Sequence, residues 1–266
     1  MNLLSSTVKE SAIQAGDTVL VRTDDDSTYL FQVIPGRKLS THRGILPHEE
    51  LVGLEYGAQV STNVASMLIL HPSVEEAMMK VKRRTNIVYP KEAAYICMKN
   101  NLRPGKRVLE IGVGSGALNL ALVNAVCPGG RVYACDVRED FLELAQENFE
   151  RSGIEGDVQW VLREREADYE MDPVDAVVLD IPTPWEEVER LKRVLKPGAR
   201  LASLNPTVNQ MEQMAETLRA AGYVMVEGME LLLRPWLPRY GKSRPVQHMS
   251  AHTEFLLFAV YAGNIE

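Results

Sequence analysis

Residues 107–118 read Arg107-Val-Leu-Glu-Ile-Gly-Val-Gly-Ser-Gly-Ala-Leu118. The apolar run from Val108 to Ile111 suits a short buried strand, and it ends in glycines at alternate positions, Gly112, Gly114 and Gly116. A helical pattern follows at once, carried by Leu118, Leu120, Ala121 and Leu122. A strand turning into a helix through residues without side chains lets a ligand lie against backbone N–H groups at a helix start. The stretch therefore predicts a nucleotide-like cofactor site. Its G-x-G-x-G spacing is not the G-x-G-x-x-G of dinucleotide enzymes, and no Lys-Ser or Lys-Thr follows as in a P-loop. Asp136 closes the next apolar run, Arg131-Val-Tyr-Ala-Cys-Asp136. It falls within the interval of roughly 20 residues at which a carboxylate grips ribose hydroxyls. Capping the helix expected from Phe141 to Phe149 is the alternative use of that side chain.

Working outward, strand and helix patterns alternate from Tyr89 onward. Pro90 stands at the first turn of a helix. Strands are expected over 158–162, 174–180, 200–204, 223–233 and 254–261, with helices ending near 150 and spanning 186–195 and 208–221. Pro197-Gly198 punctuates the chain ahead of the 200–204 strand. Crossover helices between strands imply an α/β fold with a parallel sheet covered on both faces. The last two strands have no helix pattern between them and should pair antiparallel at one edge. Gly112, Asp136 and Asp180 all close strands, which places them in one cleft beyond the carboxyl ends of the sheet.

Residues 1–71 read as a small β-rich domain. Strand-like runs over 17–22 and 27–33 flank the acidic turn Asp24-Asp25-Asp26, and two more strands are expected over 59–64 and 67–70. A helical linker over 72–88 follows, with a helix from 72 to 84 whose Met and Val stripe reads as core. The catalytic domain would then span 89–266.

Composition narrows the function classes. The 266 residues are 45% apolar, with no run near the ~20 residues of a membrane helix. Met1 to Glu10 lacks a basic segment followed by an apolar core, so no secretory signal is expected. Cys97, Cys127 and Cys135 have no C-x-x-C spacing, which speaks against a disulfide framework or zinc site and for a reducing cytoplasm. The five histidines show no i, i+4 pairing, and no metal site is expected. A net charge of −7 argues against a polyanion engaged over the whole surface. Three basic clusters run against that total: Lys80-Val-Lys-Arg-Arg84; Arg37-Lys38 with His42-Arg43; and Arg234, Arg239, Lys242 and Arg244.

The segment Leu179-Asp-Ile-Pro-Thr-Pro-Trp185 is the second strong signal. Its two prolines stiffen the loop and hold off a helix until Glu186. A fixed loop carrying a carboxylate and an indole suits recognition of a flat, hydrogen-bonding ring. The plainer reading makes Asp180 a local cap and Trp185 a core filler. Tyr89, held extended by Pro90, is a second aromatic near the core entrance or a buried structural tyrosine.

With these residues in view, the sequence resembles the tRNA adenine-N1 methyltransferases that modify position 58 in the T loop. The resemblance runs through Pro35-Gly36, Thr41-His-Arg-Gly44 and Pro47-His48, then Tyr89-Pro-Lys91 and Leu109 to Leu118. It continues with Arg138-Glu-Asp-Phe141, Leu179 to Trp185, Leu233-Arg-Pro-Trp236, Arg244-Pro245, Met249 and His252-Thr253. Most class I methyltransferases share the glycine motif; the Tyr-Pro-Lys, Asp-x-Pro-x-Pro-Trp and His-Thr elements are far more specific. The chain departs from the family's usual residues at Asn86, Glu92, Asp136, Ala251 and Glu254, and Leu162-Arg163-Glu164 lacks an aspartate often found there.

The resemblance implies S-adenosylmethionine as cofactor, a Rossmann-like seven-stranded catalytic domain, a small β N-terminal domain and a homotetramer. Gly112, Gly114, Ser115 and Gly116, continuing into Ala117 and Leu118, would line the cofactor. Asp136, with Val137 beside it, would hold the ribose, Asp180 would sit by the transferable methyl, and Tyr89 would help hold the base. Adenine N1 is a competent nucleophile when neutral, so transfer needs positioning more than a base. Attack leaves the ring cationic, which a carboxylate such as Asp180 would favour in the transition state. The buried target base would have to be extruded and stacked on aromatics, with basic clusters touching phosphates. Two other readings stand beside this one. One is a class I methyltransferase acting on a small molecule or protein isoaspartate. The other is a noncatalytic tRNA-binding subunit, in which the glycine loop and strand-end carboxylate tend to erode.

Overall fold

A computed structural model describes residues 12–263. The segment from Met1 to Glu10, on which the expectation of no secretory signal rests, lies outside the described residues. The chain divides into two compact units, one of Met1–Lys80 with Glu150–Gly153, the other of Val81–Phe149 with Ile154–Glu266.

The first unit is β-rich. β1 (Thr18–Thr23) and β2 (Thr28–Gln32) form an antiparallel hairpin around the acidic turn, where Thr23 and Ser27 both hydrogen-bond to Asp25. β3 (Lys38–Thr41) and β4 (Gly44–Pro47) pair as a second, separate hairpin. β5 (Gln59–Ser61) and β6 (Ser66–Leu70) complete a four-stranded sheet in the order β2-β1-β6-β5. The inward faces of β1 and β6 bury Val19, Val21, Met67 and Ile69 with Val33, Leu46 and Leu51. The helix expected over 72–84 is only α1 (Val74–Met79). Ser73 and Glu76 start it with a reciprocal capping box. Nothing comparable extends it past Lys80.

The second unit holds α2 (Pro90–Lys99), β7 (Arg107–Ile111), α3 (Ala117–Val126), β8 (Arg131–Asp136) and α4 (Glu139–Ser152), whose last residues belong to the first unit. β9 (Asp157–Leu162), β10 (Val174–Leu179), α5 (Val188–Leu191), β11 (Leu195–Asn205), α6 (Val208–Ala220) and β12 (Tyr223–Glu230) follow. A two-stranded ribbon of β13 (Trp236–Leu237) and β14 (Arg244–Pro245) precedes β15 (Phe255–Tyr261). Seven strands form one sheet in the order β12-β15-β11-β10-β7-β8-β9. β7 to β11 run parallel, and β15 inserts antiparallel between β11 and β12. The antiparallel pairing at one edge is thus as expected, with the last strand inside that edge and not on it.

Several expected boundaries move: the strands expected over 59–64 and 223–233 end at Ser61 and Glu230. β11 begins at Leu195, so Pro197-Gly198 lies within the strand's span. The register jumps there: Val174 faces Leu195 and Ala176 faces Arg200, so Pro and Gly are absorbed in a bulge. The helix expected over 186–195 is a 3-10 turn, Pro184–Glu187, followed by the short α5. The core between the sheet and one helical layer includes Leu109, Val177, Leu179, Leu201, Met214, Leu218 and Leu257.

Candidate active site

The crossing that builds the site lies between β7 and β10, neighbours in the sheet but distant in sequence. Chains leaving these strands diverge to opposite faces, and a crevice opens beyond their carboxyl ends. Gly112 sits at that point with φ +87°, and a Cβ there would come within 2.1 Å of the Asp180 carbonyl oxygen. Only glycine lets the two strand ends approach this closely. Gly116 begins α3 in the left-handed region, and a Cβ there would meet Ala145 of α4 at 2.9 Å. Both glycines answer packing demands, Gly112 in the cleft's wall and Gly116 where α3 meets α4.

Four of the loop N–H groups are taken up within the protein. Val113 and Gly114 donate to Asp136 Oδ2 at 3.0 and 3.2 Å, and Arg138 N–H donates to its Oδ1 at 3.0 Å. Gly112 N–H donates to the Cys135 carbonyl and Gly116 N–H to that of Val113. Asp136, nearly buried, ties the loop to β8 while each oxygen retains lone-pair capacity for a hydroxyl donor. The helix-capping role weighed for it is not the one found: α4 starts at Glu139, and Asp136 accepts from the Arg138 N–H ahead of it. Ser115 is buried, and its hydroxyl is committed to Thr85 Oγ1 at 3.1 Å and to the Arg84 N–H at 3.2 Å.

Gly112, Asp136 and Val137 line an open crevice of about 530 Å³ with Ile111, Cys135, Ile181, Pro182 and Thr183, closed below by Arg163 and Glu187. Gly114, Ser115, Gly116, Ala117 and Leu118 are not among its walls; Ala117 and Leu118 are buried in the first turn of α3. Burial pushes the Cys135 thiol up to about 12, so it lines the crevice as an apolar group.

Asp180 follows β10 and is the opposite of Asp136. The residue is exposed, and its carboxylate accepts no hydrogen bond from any described residue. Desolvation, reinforced by the Asp136 charge, raises its pKa to about 6. Tyr89 is half-buried at the start of α2, with φ −79° and ψ 157° as its pre-proline position demands. Trp185, by contrast, packs partly buried against the core beside the 3-10 turn. The plainer reading of that indole is the one found.

Several groups escaped the sequence reading. Glu110 is fully buried; desolvation, opposed by a hydrogen bond from Asn119 at 2.7 Å, raises it to about 8, with Asp180 and Asp136 adding repulsion. A signal existed: a charge inside the central strand of a parallel sheet has nowhere to go but the interior. Arg163 donates to Glu187 at 2.9 Å and stacks on Tyr169 at 4.1 Å, and the Tyr169 hydroxyl donates to the same carboxylate at 2.6 Å. Arg163-Glu-Arg-Glu166 gave no hint of this, because alternating charges read as a solvated loop. Glu254, raised to about 7 by desolvation and then by Asp180, and fully buried Glu92 add acidity beside the cleft.

The strand order, with the third, second, first, fourth, fifth, seventh and sixth strands of the large sheet side by side, and an acid-rimmed crevice at its switch point define a class I, S-adenosylmethionine-dependent methyltransferase. The residues present fit that cofactor: a crevice walled by Gly112 at the strand end, a carboxylate with lone pairs for ribose hydroxyls, and mutually repelling carboxylates that favour a sulfonium cation. The family model for the tRNA methyltransferase complex GCD14 subunit matches residues 66–242. The tRNA (adenine(58)-N(1))-methyltransferase TrmI of Thermus thermophilus is 31% identical over 90% of this chain and 94% of its own. Among solved structures, a SAM-dependent O-methyltransferase of Thermotoga maritima superposes with a TM-score of 0.89 at 34% identity, covering 98% of each chain. The tRNA (m1A58) methyltransferase TrmI of Aquifex aeolicus gives 0.79 at 30% identity, covering 94% of this chain and 98% of that one. The chain belongs to the tRNA (adenine-58-N1)-methyltransferase family.

Proposed function

We propose that the protein transfers a methyl group from S-adenosylmethionine to N1 of adenosine 58 in the T loop of tRNA. The carrying observation is Asp180, a carboxylate just after β10 that accepts no hydrogen bond from any described residue and whose backbone carbonyl lies against Gly112. Bound S-adenosylmethionine supplies an electrophilic methyl on a sulfonium. Gly112, Asp136 and Val137, which line the crevice, would hold it, with Asp136 accepting from its ribose hydroxyls. Gly114, Ser115 and Gly116, continuing into Ala117 and Leu118, would complete the cofactor's loop and helix start.

Asp180 accepts a hydrogen bond from the exocyclic amine of the target adenine, which leaves the N1 lone pair free. As the N1 lone pair forms its bond to the methyl and the methyl–sulfur bond breaks, the positive charge passes from the sulfonium to the ring, and the ionised Asp180 gains attraction it did not have for the neutral base. No proton leaves before that step, so the cleft needs no histidine or cysteine base. Tyr89 stacks on the extruded base. The β-rich first unit serves as an N-terminal domain, and the enzyme works as a cytoplasmic homotetramer.

Labelled methyl transfer to an unmodified tRNA and to the same tRNA lacking the target adenosine tests this reading. Label should enter only the first. Equal labelling of both, or preference for a small hydroxylated acceptor, would overturn it in favour of the activity named for the Thermotoga maritima neighbour.

A further inference from the structure

The three basic clusters of the sequence are not alike once their partners are known. Lys80 donates to the Thr28 carbonyl at 2.7 Å; Lys82 pairs with Glu147 and Arg84 with Asp140. Arg43 and His42 pair with Asp24 and Asp25. Arg234, Arg239, Lys242 and Arg244 pair with no carboxylate among the described residues. The chain contains no acidic residue between Leu231 and Ala251, although its net charge is −7.

These four cations lie on or beside the ribbon of β13 and β14, whose place in the fold is fixed. Glu230 at the end of β12 and Asn205 at the end of β11 both pair with Phe255, so the ribbon leaves the sheet at the edge where the parallel strands end. Gly112, Asp136 and Asp180 close strands at that same edge. Lys91, two residues after Tyr89, anchors the ribbon's start by donating to the Leu231 carbonyl at 2.6 Å. His252 bonds Glu230 at 2.7 Å, and the Thr253 hydroxyl donates to Glu92 at 2.5 Å where the chain returns. A tight turn at the tip is closed by Ser243, which donates to the Arg239 carbonyl and accepts from its N–H. Tyr240 on that turn is fully exposed, and Trp236 is 58% exposed.

We propose that this ribbon, residues 231–248, is an RNA-gripping arm of the active site: Arg234, Arg239, Lys242 and Arg244 contact phosphates, and Tyr240 with Trp236 stacks on unpaired bases. Unpaired cations interleaved with exposed aromatics match single-stranded or looped RNA in both charge and shape. The same charge disfavours the other occupant of such a surface, a second copy of the ribbon, because two uncompensated cationic arms repel. The proposal rests on the tRNA reading and assigns it a surface.

The test measures tRNA affinity against salt for the full-length enzyme. In Arg239→Ala/Lys242→Ala/Arg244→Ala, the Kd for unmodified tRNA should rise at least ~10-fold, and the slope of log affinity against log salt should flatten by about 2 to 3, near one unit per lost phosphate contact. Tyr240→Ala should weaken binding about 3- to 10-fold with the slope unchanged, since stacking releases no counterions. S-adenosylmethionine titration should be unaltered in both variants, showing the fold intact. An unchanged affinity and slope would overturn the proposal; if light scattering also shows the triple variant dissociating, the ribbon joins copies of the chain. A wild-type enzyme that methylates no tRNA would instead refute the function itself, and the two failures are thus separable.

Discussion

Asp136 and Asp180 are the same residue type at the same edge of one sheet, yet their surroundings give them different work. Asp136, at the end of β8, accepts three backbone N–H groups and shapes the glycine loop. Asp180, at the end of β10, accepts none and is driven by desolvation toward neutrality, to about 6. A carboxylate saturated by backbone donors is a scaffold that a ligand can lean on. One that is left without donors retains its full capacity for charge that develops during reaction.

The comparison breaks most decisively at Asp180. Asp180→Ala should lower methyl transfer at least ~100-fold, the scale of a lost transition-state partner, while calorimetric affinity for S-adenosylmethionine stays within about threefold. Near-normal turnover would remove Asp180 from the chemistry. Asp136→Asn should show the reverse emphasis. Its amide would present donors to a cluster of N–H groups, costing about 1–3 kcal/mol of stability and weakening cofactor binding roughly tenfold, read by melting and calorimetry. An unaltered melting temperature would mean the loop is held by something else.

Acid sharpens the same contrast. Below about 6, Asp180 takes up a proton and loses the charge the transition state needs, so kcat/KM for tRNA should fall about tenfold per pH unit there. A profile flat to pH 5 would contradict the assignment. Glu110 supplies the stability counterpart. Its folded value, about 8, lies above its ordinary 4.5, so the folded state holds the extra proton. The stabilisation is complete below 4.5 and is lost as pH rises through 8. Glu110→Gln should therefore melt higher than the wild type at pH 9 and about equally at pH 5. The smallest effect belongs to the half-exposed Lys82–Glu147 pair, where Lys82→Ala should cost no more than about 1 kcal/mol.

Much of this was legible in the sequence because it depends on residues whose constraints are local. Glycines at 112, 114 and 116, prolines at 90, 182 and 184, and apolar runs of strand length announce the α/β sheet and the position of its cleft. Asp136 and Asp180 were readable as strand-end carboxylates. What separates them was not, because it depends on which N–H groups the loop turns toward them. The β12 bulge was equally silent: Met225 takes φ 53° in a run, Val224-Met-Val-Glu227, that holds no glycine to mark it. Trp185 misled for a related reason. Its neighbours in sequence suggest a ring-binding loop, whereas the 3-10 turn at Pro184 directs the indole to the core. The basic clusters could be counted but not weighed, since whether a lysine is free depends on carboxylates dozens of residues away, as with Lys82 and Glu147.

The central claim is that an unpartnered acid beside a glycine-hinged crevice directs a methyl to the ring nitrogen of an adenine. Mass-spectrometric identification of the methylated nucleoside, after digestion of a tRNA transcript treated with enzyme and isotopically labelled S-adenosylmethionine, tests it most directly. The expected result is labelled 1-methyladenosine at position 58, formed at least ~100-fold more slowly by Asp180→Ala. A ribose-methylated or N6-methylated product, or an Asp180→Ala enzyme that labels position 58 at a near-normal rate, would contradict the claim.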